Sequence, residues 1–123
     1  MSGYRILILD DHHWRDTPGL ALVRAHLEKL LPTSEILIAD IHLLRVMVER
    51  YHPHIVIVNH LHDPLRCEIF DDVKRRGGLI VVANPEGRPN TIGSMKWSAS
   101  DYPHQLCDLF CCWGEGITEY IPP

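Results

Sequence analysis

At 123 residues the chain is the size of one domain with a single core, and 46% hydrophobic with 23% charged residues places it among ordinary globular proteins. A formal net charge of −4, with Lys74-Arg75-Arg76 as the one basic cluster, argues against a nucleic-acid partner. No apolar stretch approaches the roughly 20 residues of a membrane span, and Met1-Ser2-Gly3-Tyr4 opens no signal-peptide pattern, so the expectation is a cytoplasmic protein without a transmembrane segment.

The first apolar run, Arg5-Ile6-Leu7-Ile8-Leu9, belongs to a strand over residues 4–10 that ends in Asp10-Asp11-His12-His13. Thr17 followed by Pro18 predicts the N-cap and first residue of a helix, with Leu20, Val23, Leu27, Leu30 and Leu31 at helical spacing. Pro32-Thr33-Ser34 breaks it, and Glu35-Ile36-Leu37-Ile38-Ala39 makes a second strand. Asp40 caps a second helix with Ile41, Leu44, Met47, Val48 and Tyr51 on one face, and His52-Pro53 ends it. The third strand, His54-Ile55-Val56-Ile57-Val58, runs into Asn59-His60-Leu61-His62-Asp63. Asp63-Pro64 repeats the cap-plus-proline start for a helix that Gly77-Gly78 stops, and Lys74-Arg75-Arg76 forms its last turn, a solvated, dipole-matched terminus with a phosphate clamp as the alternative. Leu79-Ile80-Val81-Val82-Ala83 is the fourth strand. Residues 84–104 are rich in proline, glycine, serine and asparagine without periodicity and read as a long loop, a type of segment that is often functional. A fifth strand is expected from Leu106 to Trp113 and a short helix from Gly114 to Tyr120. The domain then spans 1–121, with 122–123 starting a linker to a second lobe.

Strands apolar on both faces, alternating with amphipathic helices, define an α/β fold. The expectation is a three-layer, Rossmann-like or flavodoxin-like sandwich around a five-stranded parallel sheet, in strand order 3-2-1-4-5 or 2-1-3-4-5. The carboxyl ends of such strands share one crevice, which should bring Asp10, Asn59 and Glu86 to the same sheet edge. Asp10 and Asp11 have the chemistry of a metal ligand, a sugar-hydroxyl acceptor or a base; a turn cap beside a solvated acid is the alternative. Side chains of adjacent residues diverge, so one of His12 and His13 at most faces the crevice. His60 and His62 project to the same side of an extended chain, either as a metal-ligand pair or as exposed loop histidines. Glu86 stands beside Gly87, which lets the backbone approach a ligand; a turn-surface glutamate is the alternative. Trp97, Tyr102 and Trp113 offer stacking surfaces, with core packing the simpler role for Trp113. His26, His42, His52, His54 and His104 have no convergent partner in the sequence. Cys67, Cys107, Cys111 and Cys112 include an adjacent pair and no CxxC, the pattern of reduced thiols. Without GxGxxG, GxxxxGK[ST] or GxSxG, no dinucleotide cofactor, P-loop or hydrolase elbow is expected.

Two resemblances follow from these residues. Arg5 to His13 looks like the opening of a response-regulator receiver domain, whose paired acids bind magnesium. The chain departs from that pattern at Asn59-His60, where a phospho-accepting aspartate is needed. It departs again at Ala83-Asn84, in place of threonine or serine, and at Trp113-Gly114, in place of lysine. A degenerate receiver, or less closely a small metal-dependent hydrolase using Asp10, Asp11, His60 and His62, is the alternative reading. The second resemblance spans residues 4–123. Arg15-Asp16, the third strand ending in Asn59-His60, Pro85-Glu86-Gly87, and Cys107-Asp108-Leu109-Phe110-Cys111-Cys112-Trp113-Gly114-Glu115 are similar to the N-terminal lobe of GT-B-type glycosyltransferases of bacterial surface polysaccharide biosynthesis. Ile121-Pro122-Pro123 fits the link to their next strand.

That resemblance implies an enzyme moving a sugar from a nucleotide donor to a glycan acceptor. This lobe would supply the acceptor side and be inactive alone, because the nucleotide-sugar is held by a C-terminal lobe. It implies no cofactor and no metal. Glu86, His60 and Asp11 are then the catalytic candidates, and Asp10, His12, Arg15, Asn59, His62, Gly87 and Trp97 the substrate-binding ones.

Overall fold

A computed structural model describes residues 3–59, 61, 64–83 and 106–111. The elements run β1 (Arg5–Asp10), α1 (His13–Leu30), β2 (Glu35–Asp40), a 3-10 turn (Ile41–Leu43), α2 (Leu44–Tyr51), β3 (Ile55–Val58), α3 (Pro64–Arg75), β4 (Leu79–Ala83) and β5 (Leu109–Cys111). All strand pairs are parallel, in the order β2-β1-β3-β4-β5. The second of the two expected orders is therefore the observed one.

The strands alternate their side chains between two apolar layers. Leu7, Leu9, Val56, Val58, Ile80 and Val82 face α2 and α3, where Leu44, Val48, Phe70 and Val73 complete the larger core. Ile6, Ile8 and Ile36 face α1 and meet Leu20, Leu27 and Leu31. Both faces of the sheet are thus buried, which explains why its strands read as continuous apolar runs.

Two boundaries differ from the sequence expectation. Helix α1 begins at His13, with His12 as its extended N-cap, so Thr17 and Pro18 lie inside the helix and Arg15-Asp16 in its first turn. The cause is Asp10: its carboxylate takes the Thr17 hydroxyl and the His12 N–H, so the chain turns immediately after β1. The His12 carbonyl then accepts the N–H groups of Arg15 and Asp16, at 3.0 and 2.7 Å. Strand β5 begins at Leu109 rather than Leu106. The Asp108 carboxylate caps the N–H of Ile80 at 2.7 Å while the Asp108 N–H bonds the Ile80 carbonyl, and strand pairing starts one residue later. The expected loop over 84–104, the Asp63 cap, the burial of Trp113 and the final helix over 114–120 lie outside the described residues.

Helix ends follow local chemistry. Asp40 caps the 3-10 turn by accepting the His42 N–H, and His52 closes α2 in a left-handed conformation at φ 49°. Gly77 adopts φ 84° after α3, as expected for a residue past a helix end.

Candidate functional site at the carboxyl ends of β1, β2 and β3

The chain leaves β1 toward β2 on one side and returns to β3 on the other, so the crevice between β1 and β3 is the topological switch point of the sheet. Two polar groupings stand at this edge.

The first follows from register. Asp10 pairs with Asp40 across β1 and β2, which sets two carboxylates side by side at the strand ends. His13, at the start of α1, lies between them: Nδ1 is 3.0 Å from Asp10 Oδ2 and Nε2 is 2.9 Å from Asp40 Oδ2. Ionised carboxylates only accept, so the ring donates to both at once only as the imidazolium. The hydrogen bond and charge of Asp10, then those of Asp40, hold the His13 pKa above the ordinary histidine value. Burial pushes Asp10 upward. The hydrogen bonds from Thr17, His13 and the His12 backbone outweigh it, and the carboxyl lies below its ordinary value. Asp40 is likewise lowered, by the His42 backbone N–H first and then by the His42 and His13 imidazoles. His42 Nδ1 stands 2.7 Å from Asp40 Oδ1.

The second grouping bridges β1 and β3. Asn59 is buried, and its Nδ2 donates to Asp11 Oδ2 at 3.3 Å. The Asp11 carboxylate requires a donor, so the amide nitrogen faces it and the carbonyl oxygen points away. That Oδ1 is buried and has no hydrogen-bond partner among the described residues. A buried polar atom without a partner costs free energy, on the order of 1–3 kcal/mol, and such an atom at the switch point is one a ligand donor could satisfy.

Of the residues anticipated from the sequence, Asp10, Asp11, His12 and Asn59 come together at this edge. Arg15 is one turn into α1, where its Nε donates to the buried Asp16 at 2.8 Å. His12 contributes its backbone to the Asp10 turn and exposes its side chain. Glu86, His60, His62, Gly87 and Trp97 lie outside the described residues. Sequence reasoning missed His13, Asp40, Thr17 and His42 as parts of the array. A signal existed for Asp40, which ends the second strand as Asp10 ends the first. His42 does have a convergent partner, and it is supplied by the turn that Asp40 caps. Among the described residues, no three His, Cys, Asp or Glu side chains are grouped to hold a metal ion, and no helix is long and apolar enough to cross a membrane.

Fold and site together define an open, all-parallel α/β domain with an acidic, histidine-bridged crevice at its switch point. No protein-family model matches this chain, and neither a curated protein nor a solved structure matches it significantly.

Proposed function

We propose that this domain is the acceptor-side lobe of a glycosyltransferase of the GT-B type, acting in surface polysaccharide biosynthesis, with the hydroxyls of a glycan acceptor entering the crevice between β1 and β3. The observation that carries the reading is the buried Asn59 Oδ1, without a partner among the described residues, beside the Asp11 carboxylate. Both are acceptors, and a sugar presents a row of hydroxyl donors. On this reading Asp11 draws the proton from the attacking hydroxyl, with Glu86 and His60 as further catalytic candidates, and the nucleotide-sugar belongs to a second lobe. The Asp10–His13–Asp40 array fixes the start of α1 beside that acceptor and sets the charge of its rim.

The test is amide-resolved NMR of the chain titrated with a panel of neutral and amino-sugar oligosaccharides at millimolar concentration. Saturable shifts at Asp11, His12 and Asn59, weakened at least tenfold by Asn59→Leu, are expected; tenfold is about 1.4 kcal/mol. No saturable shift with any sugar overturns the proposal.

One observation favours a second reading, a receiver-like interaction module: the strand order 2-1-3-4-5 with an acid pair at the end of β1. The position that should accept phosphate carries Asn59, whose carboxamide forms no acyl phosphate. Calorimetric titration with magnesium separates the two readings. Stoichiometric micromolar binding that is lost in Asp10→Asn selects the module and counts against the glycan site.

A further inference from the structure

The opposite edge of the sheet carries a second feature that the crevice does not use. A cleft of about 270 Å³ opens at the amino-terminal ends of β1, β3 and β4, lined by Arg5, His52, His54 and Arg76 with Val48 and Val73 as its apolar wall. At ~30 Å³ per liquid water, that is room for about nine waters, more than a bare ion needs. No aspartate or glutamate lines it, and neither arginine has an ion-pair partner among the described residues. Arg5 spends its Nε on the His52 carbonyl at 3.0 Å, leaving the rest of its guanidinium fork.

The two imidazoles are also set as donors. The Arg5 N–H donates to His54 Nδ1 at 2.9 Å, and Arg76, which can only donate, stands 3.3 Å from His52 Nδ1. Each Nδ1 therefore accepts, so each neutral ring carries its proton on Nε2. His52 holds this place at φ 49°, a left-handed conformation uncommon outside glycine, although histidine is one of the residues that adopt it more readily. The carboxyl ends of α2 and α3 lie at the cleft and offset part of the positive charge of the two guanidiniums, as does Glu35, the register partner of Arg5 across β1 and β2.

We propose that this cleft is a second binding site, taking a phosphate-class oxyanion either free or as a small phosphomonoester. Among the described residues the only side-chain acceptors of the lining are the two imidazole Nδ1 atoms, both already engaged, and two guanidinium forks with two imidazoles offer more donors than the roughly four lone-pair sites of a carboxylate can use. A phosphate group matches them better, and Val48 and Val73 offer an apolar wall to the organic part of an ester. Gly77, with nothing within 4 Å of where a Cβ would stand, keeps the rim low.

The experiment is amide-resolved NMR of the chain with inorganic phosphate, glycerol 3-phosphate or chloride at matched ionic strength. Saturable shifts confined to His52, His54, Gly77 and Gly78 are expected with the phosphates. Arg76→Ala, at an exposed turn, should weaken them at least tenfold. His52→Gly should do the same while raising thermal stability, since it removes the imidazole and relieves the left-handed backbone, so that lost binding cannot be lost folding. Tighter binding of the ester assigns the site to a phosphorylated metabolite, and equal binding assigns it to the free ion. Chloride reproducing the shifts, an absence of saturation, or wild-type binding by both variants overturns the proposal.

Discussion

His13 has a carboxylate at each ring nitrogen, and its titration should report the whole array. Its pKa is raised by Asp10 and Asp40 above 6.5, while both carboxyls are lowered below 3.8. A raised histidine contributes stability that is full below its unfolded value and lost as pH climbs through the folded one. A lowered carboxyl contributes above its unfolded value and loses that contribution as pH falls through the folded one. The array therefore stabilises most between 3.8 and 6.5 and weakens on both sides. Following the His13 ring protons by NMR should give a midpoint above 6.5 that Asp40→Asn lowers. A midpoint at or below the free-histidine value, or one indifferent to Asp40→Asn, would show that the ring is not held between the two acids. The sequence could say only that one of His12 and His13 turns toward the crevice. Which one depends on where α1 begins, and that is set by the Asp10 carboxylate drawing in Thr17 seven residues away.

Periodicity located every described element, because both faces of the sheet and one stripe of α2 must be apolar to be buried. Helix starts were less legible. Thr17-Pro18 has the form of a cap and first turn, but the Thr17 hydroxyl is spent on Asp10 and Pro18 gives up one intrahelical bond near the start of α1. The turn from α3 into β4 is tighter than its two glycines alone suggest. A Cβ on Gly78 would lie 2.5 Å from Val73 Cγ1 and 2.9 Å from the Val73 carbonyl, on a residue that is itself buried. The backbone cannot yield without moving the α3–β4 turn. Gly78→Ala should lower stability by ~1–3 kcal/mol, the cost of overpacking, measured by urea denaturation with an unchanged m-value. A loss below a few tenths of a kcal/mol would mean that the turn relaxes freely.

Across the whole molecule the two layers are unequal. The α2–α3 side holds Phe70, Leu44, Val56, Val58, Ile80 and Val82, all almost completely buried. Helix α1 buries only Asp16 among its 18 residues, leaves Trp14 97% and Leu30 75% exposed, and is held by partly buried leucines. Its amides should exchange through an opening of lower free energy than global unfolding, while central amides of β1, β3 and β4 exchange only with the whole domain. Uniform protection across α1 and the sheet in native-state hydrogen exchange would contradict this. The sequence by itself determined the fold class, the five strands and the sheet edge where Asp10, Asp11 and Asn59 meet, because burial on two faces and polar strand ends leave local patterns in the chain. Tertiary structure alone decided the strand order, the pairing of Asp10 with Asp40 and the place of His13 between them. It also decided the burial of the Asn59 amide beside Asp11 and the basic cleft that joins Arg5 to Arg76. Those depend on inter-strand register and on residues tens of positions apart meeting in space, which no local spacing encodes.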